Sequence, residues 1–342
     1  MTQAPPTISP ALADLGWSPF FAGQLDPAET GLTPARVSVV HRSRLLAETG
    51  AGQVKLSLPA GAGDFAVGDW VLTDPATRTP VRRLARRTLL RRHVESARIP
   101  QLIAANVDTL FIATSCDDDF NPARLERYLA FANEAGVEPV LVLTKIDRTA
   151  EAPAYRARAE ALQRGLAVVA LNAKAPGAVL ALAPWCGPGR TVALVGSSGV
   201  GKSTLLNALA EKTAETAQAT GGVREHDAKG RHTTTARSLH QIAGGGWVID
   251  TPGMRTLHVG DVGAGLEMLF AEITELAPNC RFRDCTHAHE PGCAVRAAVA
   301  AGTLSADRLE RWRKLNDENR ANTPVLSGPR GARSEVAPGR RR

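Results

Sequence analysis

The residues best placed to do chemistry are a run of glycines closed by a lysine. Gly196, Ser197, Ser198, Gly199, Val200, Gly201, Lys202 and Ser203 spell GxxxxGK[ST], and Thr204 follows. The run comes directly after the apolar stretch TVALV and opens the helical pattern STLLNALAE. Glycines let backbone N–H groups wrap around phosphate oxygens, and a helix N-terminus adds a dipole that favours anions. Lys202 would reach the β- and γ-phosphates and assist catalysis there, and Ser203 would bind Mg²⁺. A glycine-rich turn without ligand is the bland alternative, and the strand–loop–helix context argues against it.

A phosphate loop alone does not choose the base. Thr144-Lys145-Ile146-Asp147 does, because it follows the buried-strand pattern EPVLVLT. The Asp147 carboxylate can accept from guanine N1–H and N2–H₂, a donor pair adenine lacks, while the Lys145 stem packs along the base plane. Asp250-Thr251-Pro252-Gly253 ends the strand pattern WVID. Asp250 would hold Mg²⁺ through water, and the Gly253 N–H would sense the γ-phosphate. Upstream, the polar stretch TAETAQATGGVREHDAKG leads into His232 and the threonines 233–235. Such a segment fits a switch loop ordered by γ-phosphate and Mg²⁺, with Thr234 the candidate magnesium ligand beside Ser203.

The order of these motifs is permuted. An ordinary small GTPase runs phosphate loop, switch threonine, DxxG, then [NT]KxD; here the base-reading motif comes first. A sheet whose ends lie close together tolerates such a permutation. Residue 254, where many GTPases place a water-orienting Gln, is Met. Met has no donor for that task, so intrinsic hydrolysis should be slow. His232 is the candidate substitute, a strand-edge histidine being its structural alternative.

Cys280, Cys285, His287 and Cys293 match a closed tetrahedral Zn²⁺ site, structural in type, with His289 open as an alternative ligand. The cluster falls in a chain with no signal-peptide pattern, so a reducing, cytoplasmic setting favours metal over disulfides. Arg82, Arg83, Arg86, Arg87, Arg91 and Arg92 form a basic run, readable as a solvated face or as a contact for RNA phosphates.

The elements that must position these groups fall into blocks. The chain has 342 residues, 44% of them apolar, with formal net charge +7, so it can bury more than one core and tolerates a polyanionic partner. Residues 1–34 read as a loose leader rich in Pro, Ala and Thr. Residues 35–98 hold short β-prone runs, the pattern of a small barrel or sandwich. From 99 to 276 buried strands alternate with helices, the pattern of a parallel α/β sheet, with Asn121-Pro122 opening one helix. Residues 277–321 carry the cysteines and a helix, and 322–342 read as a basic disordered tail. No apolar run reaches the length of a membrane span.

Together, QLIAANVDTLFIATS, TKID, GSSGVGKSTLLNAL, GRHTTT, DTPGMR and CRFRDCTHAHEPGC resemble the RsgA (YjeQ) family of circularly permuted GTPases. The resemblance spans about residues 35 to 320. It implies a multi-domain protein: an all-β OB-fold barrel, an α/β P-loop NTPase domain of permuted GTPase type, and a small α-helical zinc-binding domain. It implies GTP hydrolysis to GDP, with Mg²⁺ and one structural Zn²⁺. The implied partner is the small ribosomal subunit with its rRNA, whose late maturation the chain would serve as a monomer without a membrane. By position, Lys145 and Asp147 look like the guanine readers. Asn172 and Ala173 look like the loop behind the base, with Asn172 where the family more often has Ser. An RNA-binding assembly factor that keeps GTP as a structural ligand is the alternative reading; a P-loop ATPase or kinase is a third, disfavoured by TKID.

Overall fold

The computed structural model describes residues 9–59, 61–92, 100–210, 237–251, 254, 257 and 259–323, and the backbone of 325–327 and 332–334. Five parallel strands make the nucleotide-domain sheet: β8 (Thr109–Ser115), β9 (Glu138–Thr144), β10 (Ala167–Ala170), β11 (Thr191–Gly196) and β13 (Trp247–Asp250), with β12 (Ser238–Gln241) antiparallel to β13. Their order is β10-β9-β8-β11-β13-β12.

The strands read as continuous apolar runs because both faces are covered, and alternate residues serve different cores. Leu110, Ile112, Leu141, Leu143, Ala193 and Val195 enter one core with α3 (Pro122–Glu134) and α6 (Gly263–Leu269). Phe111, Ala113, Val140, Val142, Val192 and Leu194 enter a second core with α5 (Lys202–Leu209) and the 3₁₀ segment Ala178–Trp185. The start of α3 is as its sequence demands: Asn121 Oδ1 accepts the Arg124 N–H at 3.0 Å, and Pro122 takes the first turn. Between β9 and β10, α4 spans Ala152–Glu160.

The barrel comprises β1 (Thr33–Val40), β2 (Arg44–Thr49), β3 (Gly52–Ser57), β4 (Trp70–Asp74) and β5 (Thr79–Arg83) around Ala35, Val37, Leu45, Ala47, Leu56 and Val71. A second ladder pairs β6 (Leu89–Arg92) with β7 (Gln101–Ala105). This ladder is a separate two-stranded sheet, and its Leu90, Ile103 and Ala104 pack in the same core as Leu110 and Ile112 of β8. A parallel bridge links Val67, just before β4, to Ala104 of β7. The barrel also joins the main sheet, with Val39 of β1 opposite Ser238 of β12.

The expectation of a loose leader does not hold for residues 9–34. Short helices α1 (Pro10–Asp14) and α2 (Pro19–Ala22) turn Trp17 and Phe21 inward onto Trp70, with ring centres 4.8 Å and 5.8 Å from it. The Trp247 indole donates to Asp14 O (2.7 Å), and buried Arg36 donates to Leu15 O and Thr191 Oγ1, both at 2.6 Å. Burial pushes the Arg36 pKa down to about 10. The leader thus seals the seam between barrel and sheet. At the other end, where a structureless tail is expected, the backbone of Val325–Ser327 pairs antiparallel with Ala332–Ser334.

Of the C-terminal helices α7 (Ala271–Leu276), α8 (Ala294–Ala300) and α9 (Ala306–Asn322), α9 is tied by charge to α3 and to α7. Glu126, 0% exposed, accepts from Arg308 Nη1 (2.7 Å) and Arg311 Nε (2.9 Å). Arg308 also donates to Glu272 and to Leu269 O, and its guanidinium lies 4.0 Å from the Phe270 ring centre. Removing one member of a buried pair strands the other. Arg308→Ala should therefore lower stability by about 3 kcal/mol, Arg311 offsetting part of a larger loss, as read from urea unfolding.

Candidate functional site

The candidate site lies at the carboxyl ends of the parallel strands, where open α/β sheets bind ligands. Gly196 ends β11 with φ +142 and passes so close to β8 that a Cβ would stand 2.2 Å from Ala113 O. No other residue fits there. Gly199 (φ +80) and Gly201 (φ +95) make the remaining turns, and Lys202 and Ser203 open α5. The Lys202 ammonium donates to Ser197 O, inside the loop it closes. Val200 is buried and anchors the loop to the second core.

The TKID motif meets that loop directly. Thr144, the last residue of β9, donates its hydroxyl to Val200 O at 2.6 Å. Lys145 then takes a left-handed conformation (φ +57), which turns the chain so that Asp147 stands exposed in a short 3₁₀ turn. The Lys145 ammonium lies 3.1 Å from Asp117. Asp117 accepts from Ser115 Oγ (2.6 Å) and Asp119 N–H (3.0 Å). Partial burial would raise the Asp117 pKa, but these bonds and Lys145 hold it below the ordinary carboxylate value. After β10, Asn172 Oδ1 accepts the Lys174 N–H at 3.0 Å. Asn172 thus supports its own loop with a side-chain bond, and Ala173 sits half-buried beside it.

Asp250, at the end of β13, lies opposite Leu194 of β11. Gly253, His232 and Thr234 fall outside the described residues, as do the rest of 231–236. Met254 is 3% exposed and packs in the core, and its carbonyl accepts from Tyr128 OH at 2.6 Å. Two supporting residues escape a motif reading. Asp117 sits in the acidic run after β8, at a strand end beside the nucleotide motifs, and that position was the available signal. Thr251 donates to Leu194 O at 2.6 Å and ties the residue after β13 to β11; it stands in the DTPG motif at a position to which the motif assigns no role.

The segment leaving that switch is gripped by the end of α9. Glu318 accepts from Val259 N–H (3.0 Å), Asn319 from Val262 N–H (3.0 Å) and Thr323 from Asp261 N–H (2.8 Å). The basic run is partly spent inside the protein. Arg82, Arg86, Arg87 and Arg91 pair with Glu29, Asp69, Asp108 and Asp261, which weakens its reading as an open phosphate contact.

The ligand atoms of Cys280, Cys285, His287 and Cys293 all lie within 4.8 Å of one another. Cys280 Sγ is 3.6 Å from His287 Nδ1 and 3.9 Å from Cys293 Sγ, and His287 Nδ1 is 3.3 Å from Cys293 Sγ. A tetrahedral zinc with bonds of about 2.0–2.3 Å has edges of roughly 3.5–3.8 Å, so the donor set is compatible with zinc. His287 is buried, in a left-handed conformation (φ +58), with Trp312 5.2 Å away. His289 is exposed and outside the cluster. Glu290 accepts from Thr286 Oγ1, Thr286 N–H, Ala288 N–H and His289 N–H, which locks the knuckle. The Thr286 hydroxyl leads in holding that carboxyl well below the usual range.

A strand–glycine loop–helix joined to a base-reading turn, with the turn earlier in the chain, defines a circularly permuted P-loop GTPase. The family model described as RsgA GTPase matches residues 83–260. The "Small ribosomal subunit biogenesis GTPase RsgA" of Mesorhizobium japonicum is 64% identical over 344 aligned residues, covering 100% of this chain and 99% of its own. "Small ribosomal subunit biogenesis GTPase RsgA 2" of Vibrio vulnificus is 47% identical, covering 95% and 93%. The crystal structure of YjeQ from Thermotoga maritima superposes with TM-score 0.61 at 26% identity over 84% of this chain and 98% of that one. YloQ, described as a circularly permuted GTPase, shares the fold at TM-score 0.60 and 21% identity over 86% and 99%. The chain belongs to the RsgA GTPase family.

One zinc ion per chain is the expected content on metal analysis. His287→Ala should lower it severalfold, and His289→Ala should leave it unchanged; the reverse result would exchange the two ligands.

Proposed function

We propose that this chain hydrolyses GTP to GDP on the small ribosomal subunit and couples that step to the particle's late maturation. The observation that carries the reading is the bond from Thr144 to Val200 O, which fuses the base-reading turn to the phosphate loop despite their reversed order. The names of the close relatives supply the ribosomal partner.

In this reading Asp147 accepts from the guanine N1–H and N2–H₂, Lys145 lays its stem along the base, and Asn172 and Ala173 back the ring. The backbone of residues 196–201 cradles the phosphates, with Ser197, Ser198, Gly199 and Val200 giving N–H groups, and Thr204 closes the far side. Lys202 turns from Ser197 O to the β- and γ-phosphates. Ser203 and Thr234 would hold Mg²⁺, with Asp250 acting on it through water, and the ion would supply charge neutralisation for the transferred phosphoryl group. Gly253 reports the γ-phosphate. Cys280, Cys285, His287 and Cys293 hold zinc in a structural role.

Met254 cannot orient the attacking water, since its side chain is in the core and has no donor. His232 takes that role on the particle. The exit of the second switch runs into the grip of α9, so a shift at Gly253 pulls on the metal-bearing helices. The chain acts as a monomer in the cytoplasm, where that partner resides; no helix among the described residues is long and apolar enough to cross a membrane.

Multiple-turnover phosphate release should be slow for the chain alone and rise roughly 10²-fold with purified small subunits. Equal rates with and without the particle would contradict activation. His232→Ala should remove most of the stimulated rate, and full stimulated turnover in that variant would remove its catalytic role.

A further inference from the structure

One feature of the metal-bearing element serves neither nucleotide nor metal binding. Phe282 lies between Cys280 and Cys285 and is 41% exposed, whereas Phe21, Phe111 and Phe270 are at or below 1%. Arg281 and Arg283 flank it, both exposed. The Arg281 guanidinium stands 5.6 Å from the centre of the Phe282 ring. The backbone beneath is fixed. Arg281 N–H donates to Gly292 O (3.0 Å), Cys285 N–H donates to Phe282 O (3.3 Å), and two metal-cluster cysteines bracket the loop.

An exposed ring on a fixed backbone, with the Arg281 guanidinium near it and exposed Arg283 next in the chain, suits one kind of ligand. The ring offers a face for a π-system, and the guanidinium groups offer charge to phosphates next to it. Duplex RNA hides its base faces, so the base must be unpaired. Asp284 is the one acid in the run 281–284, which leaves a net charge of +1 there from two arginines and one aspartate. That balance favours a polyanion over an acid-poor apolar partner. We propose that Phe282 stacks on an unpaired RNA base, with Arg281 and Arg283 on the adjoining phosphates. The proposal rests on the ribosomal reading above and names the surface that touches RNA.

The test uses the full zinc-loaded chain and purified small subunits with a non-hydrolysable GTP analogue. Association is measured by co-sedimentation across a salt series for wild type, Phe282→Ala, Phe282→Leu, Phe282→Trp and the double variant Arg281→Ala/Arg283→Ala. Chemical probing of the rRNA bases runs in parallel. Stacking predicts that Ala and Leu weaken association roughly 10-fold and that Trp stays within about 2-fold of wild type. It also predicts that one unpaired base loses protection in the Leu variant, and that the double arginine variant flattens the salt dependence. A Leu variant that binds like wild type overturns the proposal. So does weakened binding with every base still protected, which would assign Phe282 to a protein contact. Zinc content and GTP affinity report folding, and the Leu and Trp pair keeps the test valid if Ala misfolds. A wild-type chain that fails to sediment with the subunit overturns the ribosomal reading itself, and this inference with it.

Discussion

The site depends on one close approach. Gly196 lets β11 pass against Ala113 O, and Val200 then offers its carbonyl to the Thr144 hydroxyl. Through these two contacts the phosphate loop is held by the strand on one side and by the base-reading turn on the other. Neither contact depends on the order in which the chain supplies the strands. That is why permutation is tolerated: the parallel sheet sets the spacing of the strand ends, and the loops need only leave those ends.

Permutation does change what each switch is attached to. The strand that follows the first switch, β12, meets barrel strand β1 at Val39 and Ser238. The segment that follows the second switch is held by Glu318, Asn319 and Thr323 of the last helix and its cap. Both appended parts therefore hang from segments that follow the two proposed switches. The buried Arg308–Glu126 pair ties α9, which grips residues 259–262, to α3.

Much of this was legible in the sequence, because the relevant signals are local. The phosphate loop, the TKID turn, the buried strands and the ligand spacing each depend on neighbouring residues. What was not legible depends on distant partners. Trp17 and Phe21 sit in a Pro- and Ala-rich segment with no sustained periodicity, and distant partners such as Trp70 and Arg87 explain their burial. Residues 101–105 look like the first strand of the α/β rhythm, yet they pair with β6. The basic run reads as one surface until Glu29, Asp69, Asp108 and Asp261 are seen to pair with four of its members. His287 and His289 differ only in which way the knuckle turns.

The central claim is that the turn after β9 reads guanine. Calorimetric titration of Asp147→Asn with GDP and with xanthosine diphosphate tests it most directly. The account predicts that the variant loses guanosine affinity and gains xanthosine affinity, because the amide matches the exchanged edge of xanthine. A variant that kept the wild-type preference for guanosine would show that Asp147 does not touch the base.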